Sequence, residues 1–151
     1  MKKYLFVIAL LASVISFSAC SDDDEDIDVA QLEGTWGLTQ EEGYDYYEGE
    51  KEEWNDLYDP ANPTEDCEKI IVSKIADNTY SVVHYDYYNN KWNQSGTDKF
   101  SLDGSTLVPV DGSSEVGSTK LLVANSNQLI IEVKGTDEDG EFYGKLTYKR
   151  M

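Results

Sequence analysis

His84 and Asp86 are the residues of this chain whose types and spacing first suggest chemistry. His84 is the only histidine. It lies two positions before Asp86 in the run from Thr79 to Tyr88, and on a strand that spacing puts both side chains on one face. An imidazole beside a carboxylate can shuttle a proton or orient a polar ligand. A single histidine cannot build a multi-histidine zinc site. The chain holds no Gly-x-Ser-x-Gly elbow, no phosphate-cradling glycine loop and no His-Glu-x-x-His pair, so no nucleophile and base can be named and no enzyme is expected. Calcium is the other chemistry to weigh, because oxygen ligands suit it. Asp137, Asp139 and Glu141 alternate around Glu138 and Gly140, but the acid that would close a twelve-residue calcium loop is Tyr148. Asp56, Asp59, Asn62, Glu65 and Asp66 form a second oxygen-rich set, for which a solvated acidic loop is the simpler reading. No cofactor is expected, with calcium as the one alternative.

Two faces of the stretch from Thr79 to Tyr88 compete for the interior. If Tyr80, Val82, His84, Asp86 and Tyr88 point inward, they line a wall that is part apolar and part polar, as a ligand pocket requires. If Val83, Tyr85 and Tyr87 point inward, His84 lies on the surface. Both faces carry Val and Tyr, so alternation leaves the choice open, and the first is preferred.

These residues need elements to hold them, and the chain is rich in strand signals. Order is expected from Gln31, with Thr35, Trp36, Leu38 and Thr39 on a first strand. Strands are expected at 69–75, 79–88, 92–102, 106–110, 116–124, 128–134 and 141–149. Asp77-Asn78, Asn89-Asn90-Lys91, Asp103-Gly104, the run 111–114 and Asn125-Ser126-Asn127 supply turns between them, and Gly135 to Gly140 a loop. Eight short strands with hairpin links favour an antiparallel meander, and eight is a number that closes into a barrel able to hold one small ligand. Residues 42–63 interrupt this pattern after the first strand. They carry Tyr44, Tyr46, Tyr47, Trp54 and Tyr58 with a single large aliphatic, Leu57, and read as a long acidic loop.

Charge is uneven. The chain has 30 acidic and 12 basic residues and a net charge of -18. Residues 41–68 hold twelve acids and only Lys51, and residues 69–151 hold eleven acids and nine bases. Such a charge repels nucleic acid and anionic membrane surfaces. The N-terminus reads as a secretory signal over 1–19: Lys2 and Lys3, an apolar run from Tyr4 to Ile15 and small residues before Cys20. Residues 20–30 then form an acidic tether, and 31–151 one domain. With Cys20 at the cut, Cys67 is the remaining cysteine, a buried filler at a strand start, and no internal disulfide is expected.

Ser18-Ala19-Cys20 resembles the signal of bacterial lipoproteins. The resemblance implies that the Cys20 thiol and amine carry acyl chains such as palmitate, and two or more chains anchor stably. The acidic run after Cys20 resembles the surface-export signal of Bacteroidota lipoproteins. Gly34-Thr35-Trp36 resembles the lipocalin Gly-x-Trp signature, and Tyr148-Lys149-Arg150 puts an arginine where lipocalins set one against that tryptophan. Thr147 to Arg150, with the strand opening Leu32-Glu33-Gly34-Thr35-Trp36, is similar to the lipocalin-like lipoproteins of Bacteroidota. This implies an eight-stranded up-and-down barrel closed by Gly34, Trp36 and Arg150. The second lipocalin signature, Thr-Asp-Tyr, has no clear counterpart. The expected protein is an outer-membrane, surface-exposed, lipid-anchored monomer that binds a small apolar or amphipathic ligand. Trp36, Tyr80, Val82 and His84 lie inside, and the aromatic insert serves as a lid. The alternative is a filled scaffold that docks a protein or glycan through Tyr44, Tyr46, Tyr47, Trp54 and Tyr58. In both, the membrane is met through the lipid anchor alone.

Overall fold

The structure is a computed structural model that describes residues 27–110 and 117–151. The signal segment, Cys20 and most of the tether lie outside the described residues, as does the turn expected at 111–114. Nine antiparallel strands follow a short 3-10 turn at Val29–Gln31: β1 (Gly34–Tyr47), β2 (Glu50–Leu57), β3 (Glu68–Ala76), β4 (Thr79–Tyr88), β5 (Lys91–Asp103), β6 (Thr106–Pro109), β7 (Gly117–Ala124), β8 (Gln128–Thr136) and β9 (Glu141–Arg150). From β3 to β9 each strand pairs with the next, and β1 pairs with both β3 and β9. Eight strands therefore close a barrel, leaving β2 as a ninth outside the cycle.

The long acidic loop expected after the first strand is instead a hairpin. β1 continues to Tyr47 and turns through Glu48 and Gly49 into β2, in register from Gln40 against Leu57 to Tyr47 against Glu50. Glu48 and Gly49 have φ values of 53° and 82°, the paired positive angles of a two-residue hairpin turn. Tyrosine and tryptophan favour strands, and their pairing outweighs the acidic side chains that suggested a loop. What remains irregular is the stretch 58–67. Along its lower part β1 pairs with β3, from Gly34 against Val72 to Gly37 against Lys69; along its upper part β2 takes over that edge.

The barrel has a closed end. Leu32, Trp36, Leu38, Ile70, Val72, Tyr80, Val82, Leu121, Ala124, Leu129 and Tyr148 form one buried cluster. The 3-10 turn drives Leu32 up into the base, and Trp36 is fully buried beside it, its Nε1 donating to the Leu32 carbonyl at 2.9 Å. The Arg150 guanidinium lies 4.1 Å from the centre of the Trp36 ring. It also donates to the carbonyls of Ser126 and Glu33 at 2.9 Å and to that of Gln31. One side chain thus ties the last strand to the incoming chain and to the β7–β8 turn. Gly34 is required at this crowded point: its φ is +146°, and a Cβ there would sit 2.3 Å from Arg150 Nη1.

Candidate functional site

Register decides which face of β4 is internal. Val82 lies opposite Val72 and His84 opposite Ile70, and both partners are buried. The even-numbered residues of β4 therefore point inward. Val82 and His84 line an internal cavity of about 220 Å³ with Leu121, Leu129, Ile131 and Leu146. Its base is Leu32, and its polar residues include Asp98 and Tyr148. Tyr80 lies at the closed end, stacked on Phe100 with ring centres 5.4 Å apart, and does not line this cavity. Trp36 is likewise base rather than wall. Asp86 and Tyr88 lie higher, at the open end, where they line a second space of about 770 Å³.

One carboxylate that no sequence motif marks stands between residues of the two spaces: Glu68 lines the upper and touches Tyr148, which lines the lower. Glu68, on β3, accepts from the Tyr148 hydroxyl at 3.0 Å and stands 3.9 Å from His84 Nδ1. His84 Nε2 is 2.9 Å from Asp98 Oδ2. Strand register assembles the group: Glu68 opposes Asp86, and Val82 opposes Asp98. The Glu68 carboxylate, then that of Asp98, holds the His84 imidazole above its ordinary value, against the opposing effect of burial. Glu68 outranks the nearer Asp98 because the Asp98 side chain is 72% exposed and screened by water. Burial, reinforced by Glu68, holds the Tyr148 hydroxyl well above the ordinary phenol range, so it stays a donor.

A pH dependence follows. A histidine whose folded-state value is raised adds stability that is full below its unfolded value, about 6.5, and is lost as pH rises through the folded value. The melting temperature of the protein should therefore fall as pH climbs from 6.5 into the mildly alkaline range, and His84→Gln should remove that fall. Superimposable pH profiles for the two proteins would mean that the Glu68–His84–Asp98 cluster adds nothing to stability.

The aromatic residues of the insert do not form one surface. Tyr44 stacks on Tyr143 at 6.0 Å and meets Tyr46 edge-on at 6.4 Å, with Lys51 over the Tyr44 ring. Tyr47 is 60% exposed at the hairpin end. Trp54 pairs with Gly43, so it takes the face opposite Tyr44 and lies against the Gly43 backbone. Tyr58 packs against the barrel core. Neither carboxylate set considered for calcium is gathered: among the described residues no group of three or more His, Cys, Asp or Glu is placed to hold a metal ion. Asp137 Oδ1 instead accepts from the Asp139 and Gly140 amides, and Asp59 accepts from Ala61 and Asn62. Cys67 is buried and unpaired at the start of β3.

A closed antiparallel barrel, plugged at one end and enclosing an apolar cavity, defines a calyx-type protein. Residues 32–131 match the sequence profile of the lipocalin-like domain. The chain belongs to that family. In fold it is similar to the siderocalin Ex-FABP, described as functioning through dual ligand specificities, with a TM-score of 0.51, 8% identity, and coverage of 80% of this chain and 71% of that one. It is also similar to siderocalin Q83, described as having a dual ligand binding mode, at a TM-score of 0.50, 9% identity and coverage of 81% and 71%. At such identities the likeness concerns the fold alone. A search of curated proteins finds no match.

Proposed function

We propose that this protein is a binding module for a small apolar or amphipathic ligand, held in the barrel, and that it performs no catalysis. One observation carries the reading: the cavity between the barrel walls is lined mainly by aliphatic side chains with a few polar groups, among them His84, Asp98 and Tyr148. A site of that composition gains affinity from apolar burial and orientation from a few polar contacts. The neutral fluorophore N-phenyl-1-naphthylamine should bind with one site per chain. Native mass spectrometry of the protein made in its source cell should show an added mass that is lost on denaturation. A chain that neither binds the fluorophore nor carries added mass would sink the reading.

The same reading places the domain on the outer membrane through acyl chains on Cys20. Its support is the signal-like run before Cys20 together with the path of the chain into the fold. Ile27 bridges Ala124 at the closed end of the barrel, and the Asp28 amide donates to the Ala124 carbonyl at 2.8 Å. Seven residues of tether span at most about 25 Å. An anchor at Cys20 would therefore turn the plugged end toward the lipid and the open end away from it, where a ligand can enter. Labelled palmitate should enter the wild-type protein and not Cys20→Ala; equal labelling would remove the anchor from the proposal.

A further inference from the structure

We infer that the inner cavity has its own mouth, a gap in the barrel wall beside Asp98, and that the ligand enters there and leaves its polar end there. The inference rests on the binding reading just given and adds the route and direction of the ligand. Asp98 carries the argument. It lies opposite Val82, and Phe100 lies opposite the buried Tyr80, so Asp98 belongs to the inward row of β5. It lines the cavity with Val82 and Phe100. An inward side chain in a small closed barrel is covered by the strands around it. That of Asp98 is 72% exposed, so the cavity reaches water at this point.

Strand lengths explain the gap. β5 has thirteen residues and β6 only four. β6 covers the edge of β5 from Phe100 to Asp103, and the Val110 amide adds one bond to the Lys99 carbonyl. β6 in turn meets β7 at two pairs, Thr106 with Lys120 and Leu107 with Thr119. Among the described residues, no strand pairs with that edge of β5 from Lys91 to Asp98. Pro109 suits the end of so short a strand, because it has no amide to carry the ladder further. The cavity lining brackets the gap, with Asp98 and Lys99 on β5, Pro109 on β6 and Thr119 on β7.

The larger space at the open end is separate. No residue lines both it and the inner cavity, and the Tyr148–Glu68 bond at 3.0 Å joins the wall of one to the wall of the other. The direction of the ligand follows from the lining. Leu32, Leu121 and Leu129 are buried and make the deeper lining apolar. The pair of His84 and Asp98, 2.9 Å apart, stands at the mouth. A ligand that enters tail first buries its apolar part and keeps its polar end in water beside that pair.

The test places a bulky group at each of the two openings and times the entry of a probe. The full exported chain carries Cys20→Ala, and Cys67 is buried, so an introduced surface cysteine takes a polyethylene-glycol maleimide selectively. One variant is Asp98→Cys, at the mouth. The other is Leu57→Cys, 76% exposed in the lining of the open-end space. Stopped-flow fluorescence follows the association of N-phenyl-1-naphthylamine with each variant, labelled and unlabelled. The label at position 98 should slow association at least tenfold against the same variant unlabelled, and the label at position 57 should leave its rate unchanged. Should Asp98→Cys fail to fold, Lys99→Cys carries the label at the same mouth. A label at 98 that slows association no more than the label at 57 would overturn the mouth and leave the binding module standing. Failure of the unlabelled chains to bind the fluorophore at all would overturn both.

Discussion

Trp36→Ala should abolish most of the stability of this domain. The side chain is fully buried, and removing a core tryptophan costs about 3–5 kcal/mol. Two further losses follow from its position. The Leu32 carbonyl loses its donor, which costs about 1–3 kcal/mol if it stays dry. Arg150 loses the ring beneath its guanidinium, a contact of about 0.5–2 kcal/mol. These terms share one site and will not add fully. Even the first is a large share of the 5–15 kcal/mol typical of a native domain. Urea denaturation followed by far-ultraviolet circular dichroism should place the midpoint of Trp36→Ala near zero denaturant. Trp36→Phe should fall between the two, because it keeps much of the apolar volume and loses the bond to Leu32. A loss below about 1 kcal/mol for Trp36→Ala would show that the base of the barrel is not part of its cooperative core.

The base shows how far a sequence can carry such a reading. Trp36 and Arg150 lie at opposite ends of the chain, and no spacing rule joins them; only the family pattern sets them together. The barrel wall from β3 onward is legible because its turns use residues that accept positive φ. Asn78 has φ of 52°, Asn89 and Asn90 have 52° and 59°, and Gly104 has 59°. The β1–β2 hairpin hides because Glu48 fills a left-handed position that usually signals itself with Asn, Asp or Gly. Its acids and prolines then suggest a loop, although the prolines all lie beyond Leu57.

The polar cluster illustrates a different limit. His84 stands out as the lone histidine, yet its inward direction becomes certain only when β4 is set against β3. Glu68 and Asp98 carry no local signal, and Tyr148 stands only in the family pattern around Arg150, which gives it no polar role. Glu68 follows the buried Cys67 at a strand start, Asp98 sits in a weak, polar strand, and Tyr148 is one of eleven tyrosines. Their meeting is a property of register between β3, β4, β5 and β9, and register depends on pairings that are remote in sequence.

The second large effect concerns the cavity itself. Val82→Phe combined with Ile131→Phe places two rings into the space of about 220 Å³ that both side chains line. In a filled core such additions force strain and cost about 1–3 kcal/mol each. Across a void they gain dispersion contacts with the facing wall instead. The double variant should therefore melt at or above the wild-type temperature. Its affinity for N-phenyl-1-naphthylamine should fall at least tenfold, which corresponds to about 1.4 kcal/mol. Stability and binding move in opposite directions only if the space is real and the ligand occupies it. A destabilised variant would mean that the walls close on each other in solution and the barrel is a filled scaffold. A stable variant with wild-type affinity would put the ligand in the upper space alone, against Glu68 and Asp86, and leave the aliphatic cavity without a part in binding.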